Sequence, residues 1–201
     1  DVCYQATVTE GVDVVLFDAL SFVDGVEKCS EEIQNDYDRS KLLQSYANQA
    51  KPAKQLFKQM IQTGAMRASA CLNFIRRDLL VKNGLNFEEG LIHEDELFTP
   101  QLYALANTMM YIPQMFFHRR VRLGSIMTSV NIEKTLDVLQ YIIVELYKFA
   151  KAHSSARTVV LLRCYELFVH AENLKQEYLK QQIPDYWKKV KREYKWFNFW
   201  R

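Results

Sequence analysis

No two of the four cysteines, Cys3, Cys29, Cys71 and Cys164, lie close together in this 201-residue chain, and no CxxC pair occurs. That scatter suits a reducing compartment better than a disulfide framework or a cysteine zinc site, with each cysteine read as a buried thiol. No charge-free apolar run reaches the roughly 18 residues that cross a bilayer, and no signal-peptide pattern opens the chain, so the expected location is cytoplasmic. Net charge is nearly lacking too, at +2, but its distribution is uneven. Residues 1 to 40 hold ten acids against Lys28 and Arg39, a net −8, whereas residues 184 to 201 carry six bases against Asp185 and Glu193, a net +4. The two ends face different surroundings. What is present suffices for a globular core: 49% of residues are hydrophobic, enough for one domain or two small ones.

The densest chemistry lies in Glu88 to Thr99, where Glu94, Asp95 and Glu96 follow Glu88, Glu89, Gly90 and His93. Acidic residues in a first helical turn are favoured by free N–H groups and the positive dipole end, so a capped helix running on through Ala106 accounts for them. A carboxylate held at a helix entrance beside a glycine and a histidine is also how a general base is presented to a cleft.

Taken in order, Val12 to Phe17 is a short β-branched run that reads as a buried strand, with Ser21 to Val23 as a candidate partner. Asp24-Gly25 marks a turn. Residues 26 to 50 read as loop with a helical piece near Ser40 to Gln49, and the Asp36-Tyr37-Asp38 triplet, although of DxD form, reads as a solvated acidic loop. Lys54 to Thr63 is an amphipathic helix ended by Gly64, Arg67 to Ile75 alternates as a strand, and Arg76 to Lys82 is a short helix stopped by Asn83-Gly84. Met109 to Ile112 and Met115 to Val121 read as two strands hinged at Pro113.

From Asn131 the pattern is helical. Ile132, Leu136, Leu139, Ile143, Leu146 and Phe149 recur at helical spacing, as do Val160, Cys164, Leu167, Ala171, Leu174 and Tyr178 after a break at His153, which predicts a helical hairpin. Pro184 opens a third helix on which Ile183, Trp187, Val190, Tyr194, Phe197 and Trp200 form a stripe, with Trp196 beside it and Lys188, Lys191, Arg192 and Lys195 on the other side. Such a stripe either lies on an anionic membrane surface or docks on the preceding helices. Nucleic acid is a poorer partner, since the acidic front of the chain repels phosphate.

The runs Val12 to Ala19, Ser69 to Leu80, Asn83 to Thr99 and Phe117 to Thr128, in that order and spacing, resemble the bacterial family 2 glycosyltransferases of the GT-A fold. The resemblance implies an α/β architecture in which residues 1-128 are the carboxy-terminal part of a GT-A, Rossmann-like domain and residues 129-201 an α-helical tail of about three helices. It implies inverting transfer of a sugar from a nucleotide-diphosphate donor to an acceptor hydroxyl, as in the synthesis of cell-surface polysaccharide or lipopolysaccharide. The family's Glu-Asp motif falls on Glu94 and Asp95, making Asp95 the expected general base, with Glu94 and His93 supporting the acceptor side. Arg120, Arg122 and Ser125 match the family's Arg-x-Arg-x-x-Ser loop, expected to face the diphosphate. His118 stands where many relatives carry tyrosine.

The family's nucleotide-binding strand and DxD metal motif are not found here. The chain is therefore expected to be a fragment, inactive alone, that binds no metal itself while the full-length enzyme uses a divalent cation, Mn or Mg. Its acceptor is expected to be a glycan or a lipid-linked glycan, with peripheral association at the inner face of the membrane. Missing sheet strands would leave edges open to homo-oligomer formation or strand exchange. The alternative from another class is a non-catalytic helical adaptor that docks through its last helix.

Overall fold

The computed structural model describes residues 1–23, 25–26, 30–121 and 131–182. Within them the chain is a mixed α/β fold, a four-stranded sheet in the order β2-β4-β1-β3 with helices on both faces and a long helical hairpin following it. The strands are β1 (Val14–Val23), β2 (Ala50–Pro52), β3 (Asn73–Ile75) and β4 (Thr108–Val121). The central pair, β1 and β4, is parallel, and the three-residue edges β2 and β3 are antiparallel to their neighbours.

Period-two alternation divides the central pair between two cores. Val14, Leu16, Met109 and Tyr111 enter the larger one, while Val15, Met110 and Ile112 enter a smaller one under α1 (Val2–Thr9). The sequence reading is corrected here in three places. Ser21 to Val23 continues β1 instead of pairing with it, and Met109 to Val121 is a single strand, although its register against β1 slips between Leu16 and Ala19, opposite the stretch holding Pro113. A proline supplies no ladder donor, so the strand absorbs it as a bulge. Arg67 to Ile75 is not one strand either: Asn73–Ile75 pairs with β1, and a single 3-10 turn, Ala70–Leu72, precedes it. The helix α1 had no counterpart in the sequence reading, because it lacks an amphipathic stripe and Val2, Tyr4 and Val8 stay exposed.

On the larger face lie α3 (Ala53–Thr63), α4 (Arg77–Asn83) and α5 (Glu94–Leu105). Ala53, Leu56, Phe57, Met60 and Ile61 give α3 a buried stripe at helical spacing, and it ends at Gly64 with φ 71°, as α4 ends at Gly84 with φ 59°. Between β1 and α3, α2 (Glu31–Gln34) is a single turn capped by Ser30, whose hydroxyl accepts from the Ile33 N–H. The hairpin of α6 (Ile132–Ala152) and α7 (Arg157–Gln182) packs on α5, and Leu139, Ile142, Leu146, Val160 and Leu167 join the same apolar core as the sheet.

Candidate functional site

The acidic turn folds as a helix entrance. Glu94, Asp95 and Glu96 form the first turn of α5, and His93 precedes them in the left-handed region at φ 63°. That conformation is uncommon for a residue with a side chain, and here it turns the chain sharply from Gly90, at φ 76°, into the helix. From Leu97 to Pro100 and Leu102 to Ala104 the helix is buried, so its entrance is held by a rigid element. Pro100 lies inside it and takes from the Glu96 carbonyl its usual helical donor.

This entrance opens into a cleft of about 320 Å³ lined by Tyr37, Met66, Arg67, Ala68, Ser69, His93, Asp95, Glu96 and Arg119. Asp95 and Glu96 of α5 share this lining with Arg67 and Arg119. Arg67 fixes the loop walls, donating from Nη1 to the carbonyls of Gly64 and Met66 at 2.9 and 3.0 Å and reaching the Asp36 carbonyl at 3.4 Å. Arg119 lies over the Tyr37 ring, 4.9 Å from its centroid. Behind Ser69, the Tyr103 hydroxyl donates to Asn73 Oδ1 at 2.8 Å, and Asn73 Nδ2 donates to the Ser69 carbonyl at 2.9 Å. Burial pushes the Tyr103 hydroxyl up to about 12, so it stays a donor.

Asp95 is the perturbed acid of the cleft. Burial, then the Glu96 and Glu94 carboxylates, raise it from 3.8 to about 7, against the pull of backbone N–H groups. A carboxyl with this pKa exchanges a proton near neutrality, which suits a general base.

The loop that carries Tyr37 is tied to the sheet from below. Asp18 on β1 accepts from the Arg39 backbone N–H at 3.2 Å, from Arg39 Nε at 2.9 Å and from the Tyr111 hydroxyl at 2.5 Å. Arg39 is fully buried and Asp18 nearly so. The Tyr111 hydroxyl is raised by burial and by the Asp18 carboxylate that accepts its hydrogen bond. Asp13 does similar work at the other end of β1, accepting from the Asn107 N–H at 2.8 Å and pairing with Arg76 at 3.5 Å.

The structure brings His93 and Asp95 together in the cleft and leaves Glu94 outside its lining. Arg120 is an exposed residue of β4 outside the lining as well, while its neighbour Arg119, on the opposite face of the strand, lies within it. Strand alternation makes Arg119 and Arg120 point apart, and the tertiary structure puts Arg119 on the cleft side. Nothing local marks Tyr37, Arg67 or Ser69, which arrive by tertiary folding. Arg122, Ser125, Trp187, Lys188, Lys191, Arg192, Lys195, Trp196, Phe197 and Trp200 lie outside the described residues. Cys71 is exposed and Cys3 half-buried, correcting their reading as buried thiols, whereas Cys164 is buried and pushed up to about 11 by that burial.

Asp38 uses its Oδ1 to accept from the Ser40 N–H at 2.8 Å, as an acidic turn does. Among the described residues no group of three or more His, Cys, Asp or Glu side chains converges as a metal donor set.

Fold and cleft together define a mixed α/β domain whose buried helix presents an acid of near-neutral pKa to a cleft of mixed charge. No protein-family model and no curated protein matches the sequence. Among solved structures the chain is similar to the crystal structure of S. aureus TarS 1-349 in complex with UDP-GlcNAc, at 21% identity and a TM-score of 0.45, covering 72% of this chain and 37% of that one. It is similar also to TarS 1-349 in complex with UDP, at 21% identity and a TM-score of 0.44, covering 72% of this chain and 35% of that one. The chain thus spans about a third of the length of those structures.

Proposed function

We propose that this chain is the acceptor-side part of an inverting glycosyltransferase of family 2, with Asp95 as its general base. The observation that carries the reading is Asp95 itself: the residue on which the family's motif falls lies in a cleft, at a rigid helix entrance, with its pKa raised to about 7. In the proposed step the ionised Asp95 accepts the proton of an acceptor hydroxyl as that oxygen attacks the anomeric carbon. The bond from that carbon to the diphosphate breaks on the opposite face, which inverts the centre. Arg67 and Arg119 bring positive charge to the cleft lining, where it offsets negative charge gathering during transfer.

The donor would be a nucleotide-diphosphate sugar, and a divalent cation, Mn or Mg, is proposed for the donor side of the whole protein; no step above runs through it. A glycan or lipid-linked acceptor fits surface polysaccharide synthesis. Among the described residues no helix is long and apolar enough to cross a membrane, and peripheral contact through the basic aromatic residues 184–201 is part of the proposal. Exposed Phe74 and Phe116 on the α1 side support self-association.

The test is Asp95→Asn in the full-length protein, assayed by transfer of labelled sugar. Loss of a base lowers kcat by about 10²- to 10⁴-fold while the fold is kept. An unchanged rate would remove Asp95 from the chemistry.

A further inference from the structure

The helical hairpin reaches the first turn of α5 through the Arg163 side chain. Arg163 of α7 is only 6% exposed, and its guanidinium pairs with Glu96 of α5 and, at 2.6 Å, with Glu166 of its own helix. Burial works against its charge, yet the two carboxylates more than offset that and hold its pKa above the ordinary value. A buried arginine requires compensating carboxylates. Here one of them belongs to the cleft: Glu96 is part of its lining and the next residue after Asp95.

We propose that Arg163 is a positioning residue for Asp95: it holds the Glu96 carboxylate toward α7, compensates its charge, and fixes the first turn of α5 so that Asp95 faces the cleft. The inference rests on the reading of Asp95 as the base. The charged and titratable groups around Asp95 are His93, Glu94 and Glu96 at the helix entrance, Tyr37 and Arg67 from the loops and Arg119 from β4. From α7, Arg163 and Glu166 stand behind Glu96. The helices α3, α4 and α6 also pack on α5 but contribute no residue to the cleft lining. Among these groups Arg163 is the cation that contacts Glu96, so its loss leaves a bare carboxylate beside Asp95 and favours the protonated aspartic acid.

The test needs no transferase activity. The 201-residue chain, labelled with carboxyl-¹³C aspartate, is titrated by NMR, the Asp95 signal being assigned from its absence in Asp95→Asn. Arg163→Met is expected to move the Asp95 midpoint up by about 0.5–1 pH unit, and Arg163→Lys, which keeps the charge, to restore most of it. In the Glu96→Gln background Arg163→Met should leave the midpoint where Glu96→Gln alone puts it, because the route between them is gone. A midpoint unmoved in Arg163→Met, or moved equally with and without Glu96, overturns the proposal; Arg163→Gln replaces the methionine variant should that one fail to fold. The base assignment fails separately, if full-length Asp95→Asn retains transfer while the Arg163 variants still shift the Asp95 titration.

Discussion

Asp95 is held by its neighbours in a form that the unfolded chain does not share. An unfolded aspartate releases its proton near pH 4, whereas the native carboxyl keeps it to about 7. The native state therefore binds more protons over that interval. The stability contributed by this group is complete below about pH 4 and is lost as the pH rises through about 7. Asp95→Asn should accordingly gain in Tm relative to the parent as the pH rises from about 4 to 8, and thermal unfolding at each pH checks it; a constant difference would contradict the raised pKa. Asp18 and Arg39 show the opposite use of charge. Arg39→Met leaves the Asp18 carboxylate buried without its cation and is expected to lose about 3–5 kcal/mol in urea unfolding.

Among the elements, the short helices depend on their ends. Gly64 closes α3 and Gly84 closes α4, both at positive φ, and a Cβ at Gly64 would meet no atom within 4 Å. The penalty for Gly64→Ala is then purely conformational, about 1–2 kcal/mol by denaturant titration, with no change in the folded spectrum. Both stops were legible, because a glycine after an amphipathic or charged run ends a helix whatever surrounds it. The strands were less so. Ser21 to Val23 reads as a partner strand to Val12 to Phe17, yet β4 runs alongside and pairs those residues as part of β1 through to Val121. The reach of β1 is set by its partner, which lies more than 90 residues away in sequence.

Across the whole molecule, one apolar core joins sheet and hairpin. Tyr111 of β4, Leu102 of α5, Ile142 and Leu146 of α6 and Val160 of α7 belong to the same cluster. Ile142→Ala, at a fully buried site, should cost about 2–5 kcal/mol. Sheet and helices should then lose stability together, read as one urea midpoint for the β1 amides and for helical circular dichroism. Separate midpoints would mean that the hairpin folds on its own.

Local chemistry determined much of this from sequence alone. Acids at 94 to 96 open a helix because free N–H groups favour them, α3 has its stripe because its apolar residues recur at helical spacing, and Val14 to Phe17 is strand because its run of branched and aromatic side chains favours extended chain. Only the tertiary structure decided which side chains share the cleft. Tyr37, Arg67 and Arg119 come from three separate segments, and Arg163 reaches Glu96 across 67 positions of sequence. Contacts of that range depend on how the elements pack, and packing leaves no local periodicity in the chain from which to read them.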